Sequence, residues 1–199
     1  DISSECSLTI TNIPTTTDNC AGTITGTTTD PLTYNQQGEF TIIWTFDDGN
    51  GNVSTANQKV IIKDETAPVI PVLQDISSEC SIVISDIPTT TDNCAGTITG
   101  TTNDSLTYNQ QGEFTIIWTF DDGNGNISTA NQKVIVKDET APEIKAKDFE
   151  LELDDSGNAT LEISDIDNGS TDNCGIASYN LSKTNFAVAD LGENDVVFT

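Results

Sequence analysis

Glu39-Phe40-Thr41-Ile42-Ile43-Trp44-Thr45-Phe46-Asp47-Asp48-Gly49-Asn50-Gly51-Asn52 decides the fold class. Phe40, Ile42, Trp44 and Phe46 alternate with Thr41, Ile43 and Thr45, the period of two that a half-buried strand shows. The Asp-Gly and Asn-Gly steps that follow supply the positive φ of a tight hairpin. Lys59-Val60-Ile61-Ile62-Lys63 then reads as the returning strand. Shorter strands are expected at Ser7–Ile13 and Thr23–Thr28, and no stretch of length carries helical periodicity. The chain reads as all-β.

The stretch returns as Glu113–Asn126 inside a larger duplication. Asp1–Pro68 recurs as Asp75–Pro142, a shift of 74, with eight mild substitutions such as Leu8/Ile82 and Val53/Ile127. A faithful period of this length marks one small unit repeated along a line. Asp64-Glu65-Thr66-Ala67-Pro68 and its copy Asp138-Glu139-Thr140-Ala141-Pro142 close each unit, and proline there suits a stiff extended connector. The expected domains are 1–65, 66–139 and 140–199. Val69–Gln74 is expected to be the first strand of the second domain. The first domain then lacks its opening strand and the third its last strands. That third segment keeps the pattern in other words. Phe149–Leu153 alternates, Asp155-Ser156-Gly157-Asn158 turns, Ala159–Ile163 returns, and Asp172-Asn173-Cys174 matches Asp18-Asn19-Cys20. Short strands, frequent turns and about 75 residues per unit predict tandem immunoglobulin-like β-sandwich repeats in a linear array, with Trp44 and Trp118 in the cores.

The charge is −25, from 32 acidic residues against 7 basic ones, with no His. Nucleic acid is excluded as a partner because phosphate binding needs clustered cations. No apolar run predicts membrane insertion. Units this small need staples. Cys6/Cys20 and Cys80/Cys94 form two equivalent pairs, read as disulfides within each domain and hence as extracellular. Zinc is the weaker reading, since two Cys per unit would need carboxylates to complete a site. The spacing creates a tension. A strand of roughly seven residues would hold Cys80 and Cys94 about 23 Å apart, whereas a disulfide needs Cα atoms within about 7 Å. Pro88–Asn93 is therefore expected to fold back along the sheet. Cys174 is expected to be free or bridged beyond Thr199.

In such a sandwich the loop between the sixth and seventh strands lies at the end where the first strand begins. This brings Asp121, Asp122, Asn124 and Asn126 beside Asp64 and Glu65. Carboxylates and amides clustered in this way suit Ca²⁺, which takes six to eight oxygens. The plainer reading is that Asp-Asp-Gly-Asn-Gly-Asn only closes a hairpin. Asp47, Asp48, Asn50 and Asn52 form the corresponding set in the first unit. At the next junction the expected ligands are Asp138 and Glu139, with Asp167 or Asp172, and Asp92 is a further candidate. Catalysis is not expected, because no His can serve as general base and no Ser or Cys nucleophile has one beside it.

Thr17–Cys20, Thr45–Asn52 and Asp64–Pro68, repeated at Thr91–Cys94, Thr119–Asn126 and Asp138–Pro142, resemble the motifs of the HYR family, the hyalin-type immunoglobulin-like repeat. The third segment, with Leu153–Thr160 and Asp167–Gly175, is similar to such repeats in giant surface adhesins of Bacteroidota, among them gliding-motility adhesins exported by the type IX route. The likeness covers nearly the whole chain. It departs from the family in the missing cysteines near the first and last strands of the first two units, and in Val188, where relatives often place one. The resemblance implies a cell-surface adhesin built from many copies of the unit. Asp104-Ser105-Leu106 fits the O-glycosylation pattern of that group, making Ser105 a candidate. The expected function is a structural stalk or filament section of an extracellular adhesin, stiffened by calcium and disulfides, whose partners are further copies of the repeat. A module binding a surface glycan or receptor protein, or a filament subunit assembling by strand donation, are the competing readings.

Overall fold

Seven strands occupy the first copy of the repeat: β1 (Ile2–Ser4), β2 (Leu8–Thr9), β3 (Thr15–Asp18), β4 (Gly22–Thr25), β5 (Thr33–Tyr34), β6 (Gly38–Asp47) and β7 (Val53–Ile62). Each recurs 74 residues later as β8 (Ile76–Ser78), β9 (Ile82–Val83), β10 (Thr89–Asp92), β11 (Gly96–Thr99), β12 (Thr107–Tyr108), β13 (Gly112–Asp121) and β14 (Ile127–Val136). The third segment adds β15 (Asn158–Thr160), a one-turn helix α1 (Ile163–Ile166), β16 (Asn185–Ala187) and a 3₁₀ turn at Val188–Asp190. This computed structural model describes all 199 residues. It is 42% strand and 4% helix, so the class is all-β. No helix is long and apolar enough to cross a membrane.

The chain divides into two compact bodies. The first contains Asp1–Asp75, Ile84–Leu106 and Thr115–Lys133. Here β6 and β7 form the long hairpin expected from Glu39–Asn52, in register from Gly38↔Ile62 to Asp47↔Val53. The return strand is longer than its apolar end predicts, because the polar run Ser54–Lys59 also pairs with β6. On the far side of β7, β1 lies parallel, Ile2 facing Val60. The even positions Ile42, Trp44 and Phe46 point inward with Val60 and Ile62, and Ile10 and Tyr34 close the core. Trp44 is 2% exposed, and its indole Nε1 donates to Gln58 Oε1 at 2.8 Å, so a buried donor is satisfied. The antiparallel pair β2–β5 and the short hairpin β3–β4 complete the first copy.

The second body contains Ile76–Val83, Thr107–Phe114 and Val134–Thr199. In it β8 runs parallel to the end of β14, Ile76 facing Val134, and β9 pairs with β12. The third segment packs Leu161, Ile166 and Leu181 into a small cluster with Phe186 and Phe198 against it.

Three expectations are corrected. Val69–Gln74 is not a strand, since Pro68 and Pro71 remove ladder donors and only Val69 finds a backbone partner, the Thr91 carbonyl at 3.0 Å. Phe149–Leu153 alternates correctly but forms no strand. The strand expected at Ser7–Ile13 shrinks to two residues, Leu8 and Thr9.

Candidate metal centre and its disulfide

Two kinds of turn carry the acidic residues. The hairpin loop after β13 is built by Asp122, whose Oδ1 accepts from the backbone of Asn124 at 2.7 Å and of Asn126 at 3.1 Å. The Asn126 side chain donates to Asp122 Oδ2 at 2.7 Å. Asp48 does the same for Asn50 and Asn52 in the first copy. The hairpin role proposed for this motif is therefore present in both. The second turn joins β10 to β11. There Asp92 Oδ1 accepts from Cys94 and Ala95 N–H groups, both at 2.8 Å. Asp18 repeats this with Cys20 and Ala21, and Asp172 with Cys174 and Gly175.

What separates the second copy from the first is the connector. Asp64 is 3% exposed, and its carboxylate accepts from the Asn124 side chain at 3.1 Å while its carbonyl accepts from that of Asn126 at 3.2 Å. Thr90 Oγ1 donates to the Val69 carbonyl. The connector thus lies over both turns of the second copy. Carboxylate oxygens of Asp64, Asp92 and Asp122 come within 4.8 Å of one another. Asp92 and Asp122 are each 9% exposed. The second oxygen of Asp92, Oδ2, is buried and accepts no hydrogen bond. None of the lysine ion pairs at Glu39, Glu65, Glu139, Glu143 or Asp190 reaches these three carboxylates.

Three partly desolvated negative groups this close repel one another. Burial alone would raise the Asp122 carboxyl. The donors from Asn126 and Asn124 more than offset it and hold it below 3.8. The group is therefore kept ionised by its hairpin. Oxygens each about 2.4 Å from one ion lie at most about 4.8 Å apart, so the triad fits a single hard cation.

The other expected ligands are placed elsewhere. Glu65 is exposed and pairs with Lys63 at 2.5 Å. On an extended chain residues 63 and 65 share one side and Asp64 takes the other. Asp121 faces outward at the end of β13 and accepts only from Gly123 N–H, as Asp47 does from Gly49. In the second body Asp138, Asp172 and Cys174 form a less buried group, with the Asp172 Oδ2 atom itself buried and unpartnered. Glu139 pairs with Lys137 instead, and Asp167 is engaged by Ser170 within its own turn. Ser105 is exposed between β11 and β12.

The disulfides correct the expected pairing. Cys6 bonds Cys94, with Cα atoms 4.9 Å apart, and Cys80 bonds Cys174 at 5.0 Å. Cys20 is free and exposed. Each bond thus joins successive copies rather than closing one. The distance argument against a Cys80–Cys94 bond holds, and the Asp92-Asn93-Cys94 turn docks instead on the corner after β1, where Cys6 lies. Asn93 donates to Glu5 Oε2 at 2.6 Å, and Thr66 Oγ1 donates to the same carboxylate. Glu79 receives Thr140 and Asn173 in the same way. Glu5, Glu79 and the alternative pairing were missed. The Ser-Glu-Cys triplet, present at Ser4–Cys6 and again at Ser78–Cys80, was their signal.

No protein-family model and no curated protein matches this chain.

Proposed function

We propose that this chain is a structural section of an extracellular, repetitive cell-surface adhesin, with immunoglobulin-like units in a linear array stapled by disulfides and by Ca²⁺. The HYR-type motifs support the array, and the two disulfides support an oxidising compartment. The carrying observation for the ion is Asp92, nine-tenths buried, with one oxygen unpartnered beside Asp64 and Asp122. A buried carboxylate oxygen without a donor is costly unless a cation meets it. The role is read as structural rather than catalytic, because the chain has no His to act as general base for a hydroxyl or thiol nucleophile. Its partners are further copies of the same repeat.

Thermal unfolding in Ca²⁺ and in excess EDTA tests the ion. A ligand at a hundred times its Kd adds about 2.7 kcal/mol, so chelation should lower Tm by several degrees. Small-angle scattering should show an elongated particle in calcium. Identical melting curves in both buffers would overturn the cation part of this reading.

A further inference from the structure

We propose that the Asp64–Asp92–Asp122 cation site and the Cys6–Cys94 disulfide are thermodynamically coupled: Ca²⁺ binds the oxidised chain more tightly, and the disulfide resists reduction more strongly when Ca²⁺ is bound. This rests on the cation reading above and adds its regulation by redox state.

The bonded cysteines flank two of the three ligands. Cys94 lies two residues after Asp92, and its N–H fixes Asp92 Oδ1 at 2.8 Å, which leaves Oδ2 for the ion. Cys6 follows Glu5, whose carboxylate holds the Thr66 hydroxyl at 3.0 Å, and Thr66 N–H in turn donates to Asp64 Oδ1 at 3.2 Å. Asn93 joins the two sides, donating to Glu5 Oε2 at 2.6 Å with the Cys94 sulfur 3.3 Å from the same nitrogen. A Glu5 oxygen, an Asp64 oxygen and the Cys94 sulfur lie within 4.8 Å of one another. The loop closed by the bond spans 88 residues and contains both Asp64 and Asp92.

Holding mutually repelling carboxylates together before the ion arrives is preorganisation, which strengthens binding by removing its ordering cost. Reduction by a dithiol breaks the S–S bond, transfers two electrons and two protons, and leaves two thiols and an oxidised reagent. The carboxylates then lose their covalent tie and separate. Coupling between two binding equilibria is reciprocal.

The test uses the full 199-residue chain carrying Asp138→Asn and Asp172→Asn, so that only the first site titrates. Ca²⁺ affinity is measured by calorimetry with the disulfide intact and in the Cys6→Ser/Cys94→Ser variant. The expected result is at least a tenfold loss of affinity in the variant, while Cys80→Ser/Cys174→Ser leaves it unchanged. Equal affinity with and without Cys6–Cys94 overturns the coupling and leaves the cation reading standing. No binding to the oxidised chain overturns both. Should the variant fail to fold, the oxidised chain is equilibrated in dithiothreitol redox buffers with Ca²⁺ or EDTA, and Cys6 and Cys94 are scored by alkylation and mass spectrometry. A tenfold shift corresponds to about 30 mV for this two-electron couple, toward harder reduction in Ca²⁺. An unmoved midpoint refutes the proposal.

Discussion

Asp92 spends one carboxylate oxygen on two backbone amides and keeps the other for nothing the protein supplies. Asp92→Asn separates the two roles, since an amide oxygen can still accept from Cys94 and Ala95. In EDTA the variant should melt no lower than the parent, because repulsion with Asp64 and Asp122 is relieved. The gain on adding Ca²⁺ should shrink by about 1–3 kcal/mol, the scale of a lost charged ligand bond. A full calcium response in the variant would remove Asp92 from the site. The hairpin and turn aspartates give a pH signature. Donors from Asn52 hold Asp48 below 3.8, Ala21 and Cys20 amides do so for Asp18, and Ser170 for Asp167. Depressed folded values mean stability that is complete above about pH 4 and is withdrawn as pH falls through them. Tm in metal-free buffer should therefore be flat from pH 7 to about 4 and fall below it. At this scale the sequence was only half legible. Asp18 and Asp92 sit in identical words, yet only Asp92 is buried; Thr16/Thr90 and Ala56/Ala130 differ in the same way. A reading confined to one copy cannot see a difference that the connector from the preceding copy creates.

The hairpin of β13 and β14 was readable, because alternation and Asn-Gly chemistry are both local. Its packing partner is a glycine. A Cβ on Gly100 would sit 3.0 Å from the Phe120 ring and 3.2 Å from the Pro88 carbonyl. Phe120 is fully buried and Pro88 offers rigid backbone, so neither can give way easily. Gly100→Ala should cost about 1–3 kcal/mol by overpacking, seen as a lower urea midpoint with unchanged m value. A midpoint equal to the parent's would show that the ring rotates freely. Connectors and the third segment were less legible for a physical reason. Val69–Gln74 has strand-like residues but prolines where donors are needed. Phe149–Leu153 alternates with no partner strand hydrogen-bonded to it. Alternation reports a preferred face, and pairing is settled by what lies alongside.

For the molecule as a whole, −25 charges on 199 residues make self-repulsion a standing cost. Raising ionic strength to about 1 M with NaCl shortens the screening length to about 3 Å, so Tm in EDTA should rise with salt. A fall would mean that the surface ion pairs outweigh the repulsion. The two disulfides add a property that belongs to neither alone. Because Cys94 lies between Cys80 and Cys174, the covalent loops overlap along the chain. A tensile load applied at the ends runs from residue 6 through sulfur to 94, back along the backbone to 80, and through sulfur to 174. Residues 7–79 and 95–173 are bypassed, so even complete unfolding releases little contour length until a sulfur–sulfur bond is cut.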